Sequence, residues 1–231
     1  MEVLGPLLDV VFPARCVGCG AAPSALCPRC LARARPAPGG APPPELDWWV
    51  AAFAYEAAVR EALARLKYRN ARSALPALTA ALVARLPDGA AGTVDLVTWP
   101  PTTAARRRRR GFDQAEHLAR AVGDALGVPV RGALVRRGGA SQTGRSAGER
   151  RRGPAFSARS GIVAGRRVLV VDDVATTGAT LAAAARALRA AGAGAVAAAT
   201  VARTPRRARS PPGADRPPAP QGHVKEGRYQ Q

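Results

Sequence analysis

Two stretches of this 231-residue chain hold residue types at spacings that could do chemistry. The first is CVGCGAAPSALCPRC, which sets Cys16, Cys19, Cys27 and Cys30 in a C-x2-C-x7-C-x2-C pattern and leaves no cysteine over. Each C-x-x-C turn can aim two thiolates at one point, and four thiolates make a closed tetrahedral zinc site. Such a site is structural rather than catalytic, because no coordination position stays open. The competing reading is two disulfides, or surface thiols with no joint role; in a reducing compartment Zn2+ is the expectation. The second stretch is VLVVDDVATTGATL, residues 168–181: four apolar residues, two adjacent carboxylates, then a small-residue loop with three threonines.

An apolar VLVV strand is expected to be buried on both faces, with Asp172 and Asp173 at its carboxyl end, where open α/β sheets bind ligands. Adjacent buried carboxylates are costly unless they accept hydrogen bonds or meet cations. Vicinal ribose hydroxyls meet that need, and a nearby Mg2+ lowers the repulsion further. Thr176, Thr177, Gly178, Ala179 and Thr180 then open a helix, where backbone N–H groups and hydroxyls make a phosphate cradle. A ribose 5-phosphate satisfies both halves at once. The plain alternative is a capped helix after an acidic turn.

Other chemistries with similar pieces do not fit. A nucleotide triphosphatase needs G-x-x-x-x-G-K-[ST], and neither lysine of the chain, Lys67 or Lys225, lies in such a setting. A phospho-accepting receiver domain also needs a lysine that is missing. The G-x-G at Gly192 and Gly194 follows a helix rather than a strand, so the dinucleotide fingerprint is absent. A Ser-His-Asp triad would rest on His117, which reads as a solvated helix residue.

The elements that must position these residues follow from periodicity and punctuation. Residues 35–44, RPAPGGAPPP, read as a linker. Beyond it, WVAAFAYE reads as a strand, AAVREALARLKY as a helix, and SALPALTAALVARL as a helix with Pro76 in its first turn. VDLVTW is a short strand closed by Pro100 and Pro101. Residues 112–126 carry apolar side chains on one helical face, with Asp113 and Glu116 resembling a capping box and Gly127 the stop. Residues 136–160 have no clear period and read as a mobile loop. After the acidic strand come a helix with Leu181, Ala184, Ala185 and Leu188 on one face and a strand, AVAAATV. Alternating strands and helices imply an α/β fold with a central parallel sheet flanked by helices. The expected division is a zinc-binding module with linker at 1–45, an α/β domain at 46–203, and a disordered tail at 204–231, rich in Pro, Arg and Gln.

The formal net charge of +19 attracts polyanions, either nucleic acid or phosphorylated small molecules. Aromatic residues are only 4%, which leaves few stacking platforms for single-stranded nucleic acid. No run approaches the roughly 18 apolar residues of a membrane span. The short N-terminal apolar run lacks a basic flank, so no signal peptide is expected and a cytoplasmic location follows.

The acidic strand and threonine loop closely resemble the 5-phosphoribosyl 1-diphosphate signature of type I phosphoribosyltransferases. The resemblance implies that Asp172 and Asp173 contact the ribose hydroxyls and that Thr176 to Thr180 bind the 5-phosphate. The four-cysteine module, RLKYRN at 65–70 and TWPPTTAARRRRRGFDQAEHLA at 98–119, taken in order with that signature, resemble the ComF family of competence-associated phosphoribosyltransferase-like proteins. In relatives the turn after the first core strand contributes to pyrophosphate binding; here it is Trp99, Pro100, Pro101 and Thr102. The chain departs from the pattern at Asp113, where the family usually has Asn, and in ERRRGPAF, which keeps Arg150, Ala155 and Phe156 without an Asn. Purine-salvage relatives carry an Asp where Thr176 stands, so a 6-oxopurine acceptor is not assigned.

Arg106 to Arg110 form a run of five arginines beside the proposed pyrophosphate turn. They could wall a pyrophosphate or DNA site, with Arg110 the specific contact, or be a solvated charge run. Two functions therefore stand side by side. One is magnesium-dependent phosphoribosyl transfer to an unidentified acceptor, linked to DNA uptake. The other is a non-catalytic nucleic-acid-binding accessory of DNA uptake, with single-stranded DNA as partner, on the same fold.

Overall fold

The computed structural model describes residues 15–16, 18–68, 74–137 and 154–205, with the side chains of residues 57, 65–68 and 110 left aside. The motif RLKYRN, the segment 138–153 and the tail beyond Pro205 accordingly fall wholly or largely outside the described residues.

In chain order the elements are α1 (Pro28–Ala32), β1 (Trp49–Ala54), α2 (Ala57–Tyr68), α3 (Leu75–Val83), α4 (Ala90–Thr93), β2 (Leu96–Thr98), α5 (Ala104–Arg110), α6 (Gln114–Leu126), β3 (Leu134–Arg137), β4 (Ala155–Ala158), α7 (Ser160–Val163), β5 (Arg167–Ala175), α8 (Ala179–Ala190) and β6 (Ala195–Arg203). Four strands form one sheet in the order β1-β6-β5-β2, every pair parallel. The parallel α/β expectation therefore holds.

Period-2 alternation decides which face each strand residue serves. Leu169 and Val171 of β5, with Ala197, Ala199 and Val201 of β6, point into one core shared with Leu118, Ala119 and Val122 of α6 and Leu78 and Leu82 of α3. Val168, Val170, Val196 and Ala198 point the other way, onto Leu181, Ala184, Ala185 and Leu188 of α8. Alanine on both β6 and α8 leaves little side-chain thickness, so the layers approach closely.

Three features differ from the sequence reading. β5 does not stop at the acids but runs through Asp172 and Asp173 to Ala175, because β6 is equally long and pairs Thr200 with Asp172. The stretch read as a featureless loop begins and ends in structure: β3 and β4 pair antiparallel, Arg136 opposite Phe156. Four-residue strands this far apart in sequence leave no period to detect. The arginine run is helical, capped by the Thr103 hydroxyl, which accepts from Arg106 N.

The proline run, read as a linker, lies against the sheet. Ala37 N donates to Ala52 O at 3.3 Å, and at its far end Asp47 N donates to Val196 O at 2.9 Å. Arg186 pairs with Glu45, and Arg189 with both Glu45 O and Asp47. Residues 37–47 thus form a strap fixed at both ends.

Candidate functional site

The cysteine pattern folds as its spacing demands. The Sγ atoms of Cys16, Cys19, Cys27 and Cys30 all lie within 4.8 Å of one another, and none is in a disulfide. Cys19 Sγ and Cys27 Sγ are 3.6 Å apart, close to the roughly 3.8 Å edge of a tetrahedron with 2.3 Å zinc–sulfur bonds. Burial raises the Cys16 thiol, but backbone N–H groups of Cys27, Gly18 and Cys19 outweigh it and lower it to about 6. Hydrogen bonding to Cys16, then burial, then the Cys19 and Cys27 sulfurs push Cys30 up to about 12. Four thiols held this close resist sharing negative charge, and a divalent cation removes that resistance. The cluster can hold a metal such as zinc. A Cβ on Gly18 would stand 2.7 Å from Cys30 Sγ, so the knuckle needs glycine there. Leu26, fully buried between the two cysteine pairs, joins Val59, Ala62 and Leu63 of α2 in the main core.

The carboxyl ends of β2 and β5 open into a cavity of about 380 Å3. Asp172, Asp173 and Thr180 line it from the acidic motif, and Pro100, Pro101 and Thr102 from the turn after β2. Residues 70 positions apart in sequence meet here because β2 and β5 are neighbours in the sheet. Asp172 Oδ1 accepts from Asp173 N at 2.8 Å, and Asp173 Oδ1 from Val174 N at 2.7 Å. Burial, then the Asp173 charge, push the Asp172 carboxyl well above the usual carboxylate range. Asp172 therefore favours holding a proton until a cation or hydroxyl donors replace it.

Thr177, Gly178 and Ala179 line a second cavity on the other side of the loop, while Thr176 is exposed and lines neither. Gly178 has φ +79°, a left-handed conformation costly for any other residue, and begins α8. Of the arginine run, Arg106 lines the first cavity; the Arg110 side chain lies outside the described residues.

The proline turn behaves differently from a backbone anion nest. Pro100 and Pro101 have no N–H, and Thr102 N donates to Asp113 Oδ2 at 2.8 Å. Pro101 O accepts from Arg136 Nη1 at 3.3 Å. The turn is thus held rigid, and anion contact near it falls to Arg106 and Arg136, which both line the cavity. Arg136 carried no signal in the sequence, since it sat in the apparent loop. Asp113 was legible only as a helix cap. Its Oδ1 does cap α6 through Ala115 N, but its second oxygen anchors the turn, and Glu116 pairs with Arg120 instead of completing a capping box. Burial raises the Asp113 carboxyl above its ordinary range, with Glu116 and Asp173 adding to it. An asparagine could offer only one oxygen to these two N–H groups. Asp113→Ala is expected to cost about 2–3 kcal/mol, from a lost cap and a stranded turn N–H, measured by urea unfolding.

Residues 108–216 match the family model described as a phosphoribosyl transferase domain, just under half of the chain. The chain carries a phosphoribosyltransferase-type domain. The match spans the acidic motif, α8 and β6, and begins inside the arginine run. Among solved structures the chain is similar to an allosteric regulatory enzyme of purine biosynthesis, with 29% identity and a TM-score of 0.35, covering 46% of this chain and 22% of that one. It is also similar to the glutamine phosphoribosylpyrophosphate amidotransferase of B. subtilis, with 26% identity and a TM-score of 0.39, covering 54% and 25%. A third, the purine phosphoribosyltransferase of Pyrococcus horikoshii, has 18% identity, a TM-score of 0.34 and coverage of 56% and 72%. The chain therefore spans a quarter or less of the first two proteins. No curated protein matches it. Among the described residues no helix of the phosphoribosyltransferase-type domain or its cysteine module is long and apolar enough to cross a membrane.

Proposed function

We propose that the cavity between β2 and β5 binds 5-phosphoribosyl 1-diphosphate with Mg2+ and that the chain transfers the phosphoribosyl group to an acceptor. The observation that carries this reading is the gathering of the Asp172–Asp173 pair, the Thr180 helix start and the arginine-flanked proline turn around one cavity. In this reading Asp172 and Asp173 accept from the two ribose hydroxyls. Thr180, the residue of the 176–180 loop that lines this cavity, receives the 5-phosphate at the start of α8, and Arg106 and Arg136 face the pyrophosphate. The acids, or the diphosphate oxygens beside them, would hold Mg2+, which supplies charge neutralisation for the departing pyrophosphate. The bond from the ribose anomeric carbon to the pyrophosphate oxygen breaks, a bond to the acceptor nitrogen forms, and the acceptor loses a proton. The protein's share is positioning and stabilisation of departing charge, with no covalent nucleophile.

Zinc is the metal we assign to the four cysteines, as a structural ion. The module preceding a phosphoribosyltransferase-type domain supports membership of the ComF family and, with it, a role in DNA uptake. Calorimetric titration with the diphosphate plus Mg2+ is expected to show one binding site per chain. A flat titration at millimolar diphosphate would overturn the reading.

A second reading, nucleic-acid binding without transfer, is favoured by one observation: Arg106, Arg107, Arg108 and Arg109 are all exposed on the short helix α5. It predicts binding to single-stranded DNA that weakens steeply between about 50 and 200 mM salt and survives Asp172→Asn/Asp173→Asn. Undetectable binding at low salt removes it.

A further inference from the structure

Among the described residues, three carboxylates and two guanidinium groups line the first cavity: Asp113, Asp172 and Asp173 with Arg106 and Arg136. In the reading above Asp172 and Asp173 meet ribose hydroxyls, and Asp113 has no such use. Only 6% of Asp113 is exposed, and a buried carboxylate is costly unless its charge or its second oxygen is needed. Capping α6 needs neither, since asparagine and serine cap a helix as well as aspartate does. The second oxygen is accounted for by the turn. Oδ1 accepts from Ala115 N, and Oδ2 accepts from Thr102 N at 2.8 Å. Both donors are backbone N–H groups, the kind of donor that also holds a free anion.

The turn has little else to offer an incoming anion. Pro100 and Pro101 lack an N–H, so Thr102 N is the one backbone donor of residues 100–102. Pro101 O can only accept, and it is engaged by Arg136 Nη1 at 3.3 Å. The Arg136 guanidinium also lies over the Phe156 ring, 5.5 Å from its centroid, so its place in the cavity wall is set from two sides. Asp113 thus puts a negative oxygen on the donor that a pyrophosphate oxygen would seek.

The charges act in the same direction. Burial raises the Asp113 carboxyl, the Thr102 and Ala115 N–H groups oppose that rise, and the Glu116 and Asp173 charges add to it. A carboxylate already crowded by negative neighbours repels a further anion. A pyrophosphate group arriving here meets an occupied donor and a like charge together.

We infer that Asp113 is an internal competitor of the pyrophosphate group: Oδ2 occupies Thr102 N, and pyrophosphate gains that donor only by displacing it. Asp113 is thereby a positioning residue that sets how tightly pyrophosphate is held and favours its departure after transfer. Only a hydrogen bond is exchanged. Thr102 N–H passes from Oδ2 to a pyrophosphate oxygen and returns when pyrophosphate leaves, while Oδ1 stays on Ala115 N and keeps α6 capped. This inference rests on the reading of the first cavity as the diphosphate site.

The test titrates the full zinc-loaded chain by calorimetry with inorganic pyrophosphate plus Mg2+ and, separately, with ribose 5-phosphate. Asp113→Asn keeps one oxygen for the α6 cap, removes the charge and frees Thr102 N; Asp113→Ser does the same with a shorter side chain. Each variant is expected to bind pyrophosphate at least about tenfold more tightly than the wild type, and ribose 5-phosphate within about twofold of it. A residue that only braced the turn would give the opposite sign, because a loosened turn weakens pyrophosphate. Pyrophosphate affinity unchanged or lowered in a folded variant therefore overturns the inference. An equal gain for ribose 5-phosphate also overturns it, by placing the effect in the overall charge of the cavity. Saturating the wild-type chain with 5-phosphoribosyl 1-diphosphate and Mg2+ is expected to shift the Thr102 amide proton resonance. An unmoved resonance overturns the inference without any variant, which keeps the test decisive should both variants unfold. A wild-type chain that binds neither the diphosphate nor ribose 5-phosphate removes the first-cavity reading, and the role of Asp113 with it.

Discussion

Asp172→Asn/Asp173→Asn is expected to lower the affinity for 5-phosphoribosyl 1-diphosphate with Mg2+ by at least about 100-fold, because two charge-assisted acceptor sites disappear together. The pH dependence separates this from a general loss of structure. Burial and the neighbouring charge raise the Asp172 carboxyl well above its ordinary range, whereas ligand binding needs both carboxylates ionised. Binding therefore releases a proton, and wild-type affinity rises with pH, by up to about one decade per unit, until Asp172 is fully ionised. Titration in two buffers of different ionisation enthalpy reads the released proton directly.

The ligand-free fold responds in the opposite sense. A carboxyl whose folded-state value lies above its unfolded value, about 3.9, gives the fold its full contribution below that value. The contribution is lost as pH rises through the folded-state value. The double asparagine variant lacks this penalty, so at neutral pH it is expected to unfold at higher urea than the wild type while binding no diphosphate. Loss of stability with loss of binding would instead mark the acids as structural.

Removing metal from the cysteine cluster is the second large effect expected. The Sγ atoms already stand within 4.8 Å of one another, and apparent zinc binding energies of about 10–16 kcal/mol are available to hold so short a segment. The consequence reaches beyond the knuckle, because Leu26 is fully buried in the core shared with α2. Withdrawing a side chain so placed costs about 2–5 kcal/mol. Chelation, or Cys19→Ser, is expected to lower the melting temperature by about 10 °C and to abolish stoichiometric zinc in the purified chain. Gly18→Ala should act in the same direction, since its Cβ would meet Cys30 Sγ at 2.7 Å. A chelated chain with unchanged melting would show that the cluster supports nothing.

Much of the candidate site was legible because its residues are consecutive. The acids, the threonine loop and the cysteine pairs each lie within about one turn or strand, so local geometry carries their meaning. Helix limits were legible for the same reason: Asp113 and Gly127 bound α6 through their own side-chain and backbone preferences. Residues whose role depends on a distant partner were not. Arg136 looked like part of a loop until β4, far along the chain, paired with its strand. Asp113 showed its capping oxygen but not the one that holds Thr102 N. Trp49 and Arg203 lie more than 150 positions apart and meet only because β1 and β6 are neighbours.

By itself the sequence determined the alternation of strand and helix, the metal-ready cysteine spacing and the paired acids ahead of a helix start. Each of these is written in periodicities and spacings shorter than a single element. Tertiary structure alone decided that the proline turn faces the acids, that its N–H is already taken by Asp113, and that the apparent linker roofs a second cavity. Those outcomes follow from the strand order β1-β6-β5-β2, which arises from the burial of both sheet faces at once and leaves no local trace in any one strand.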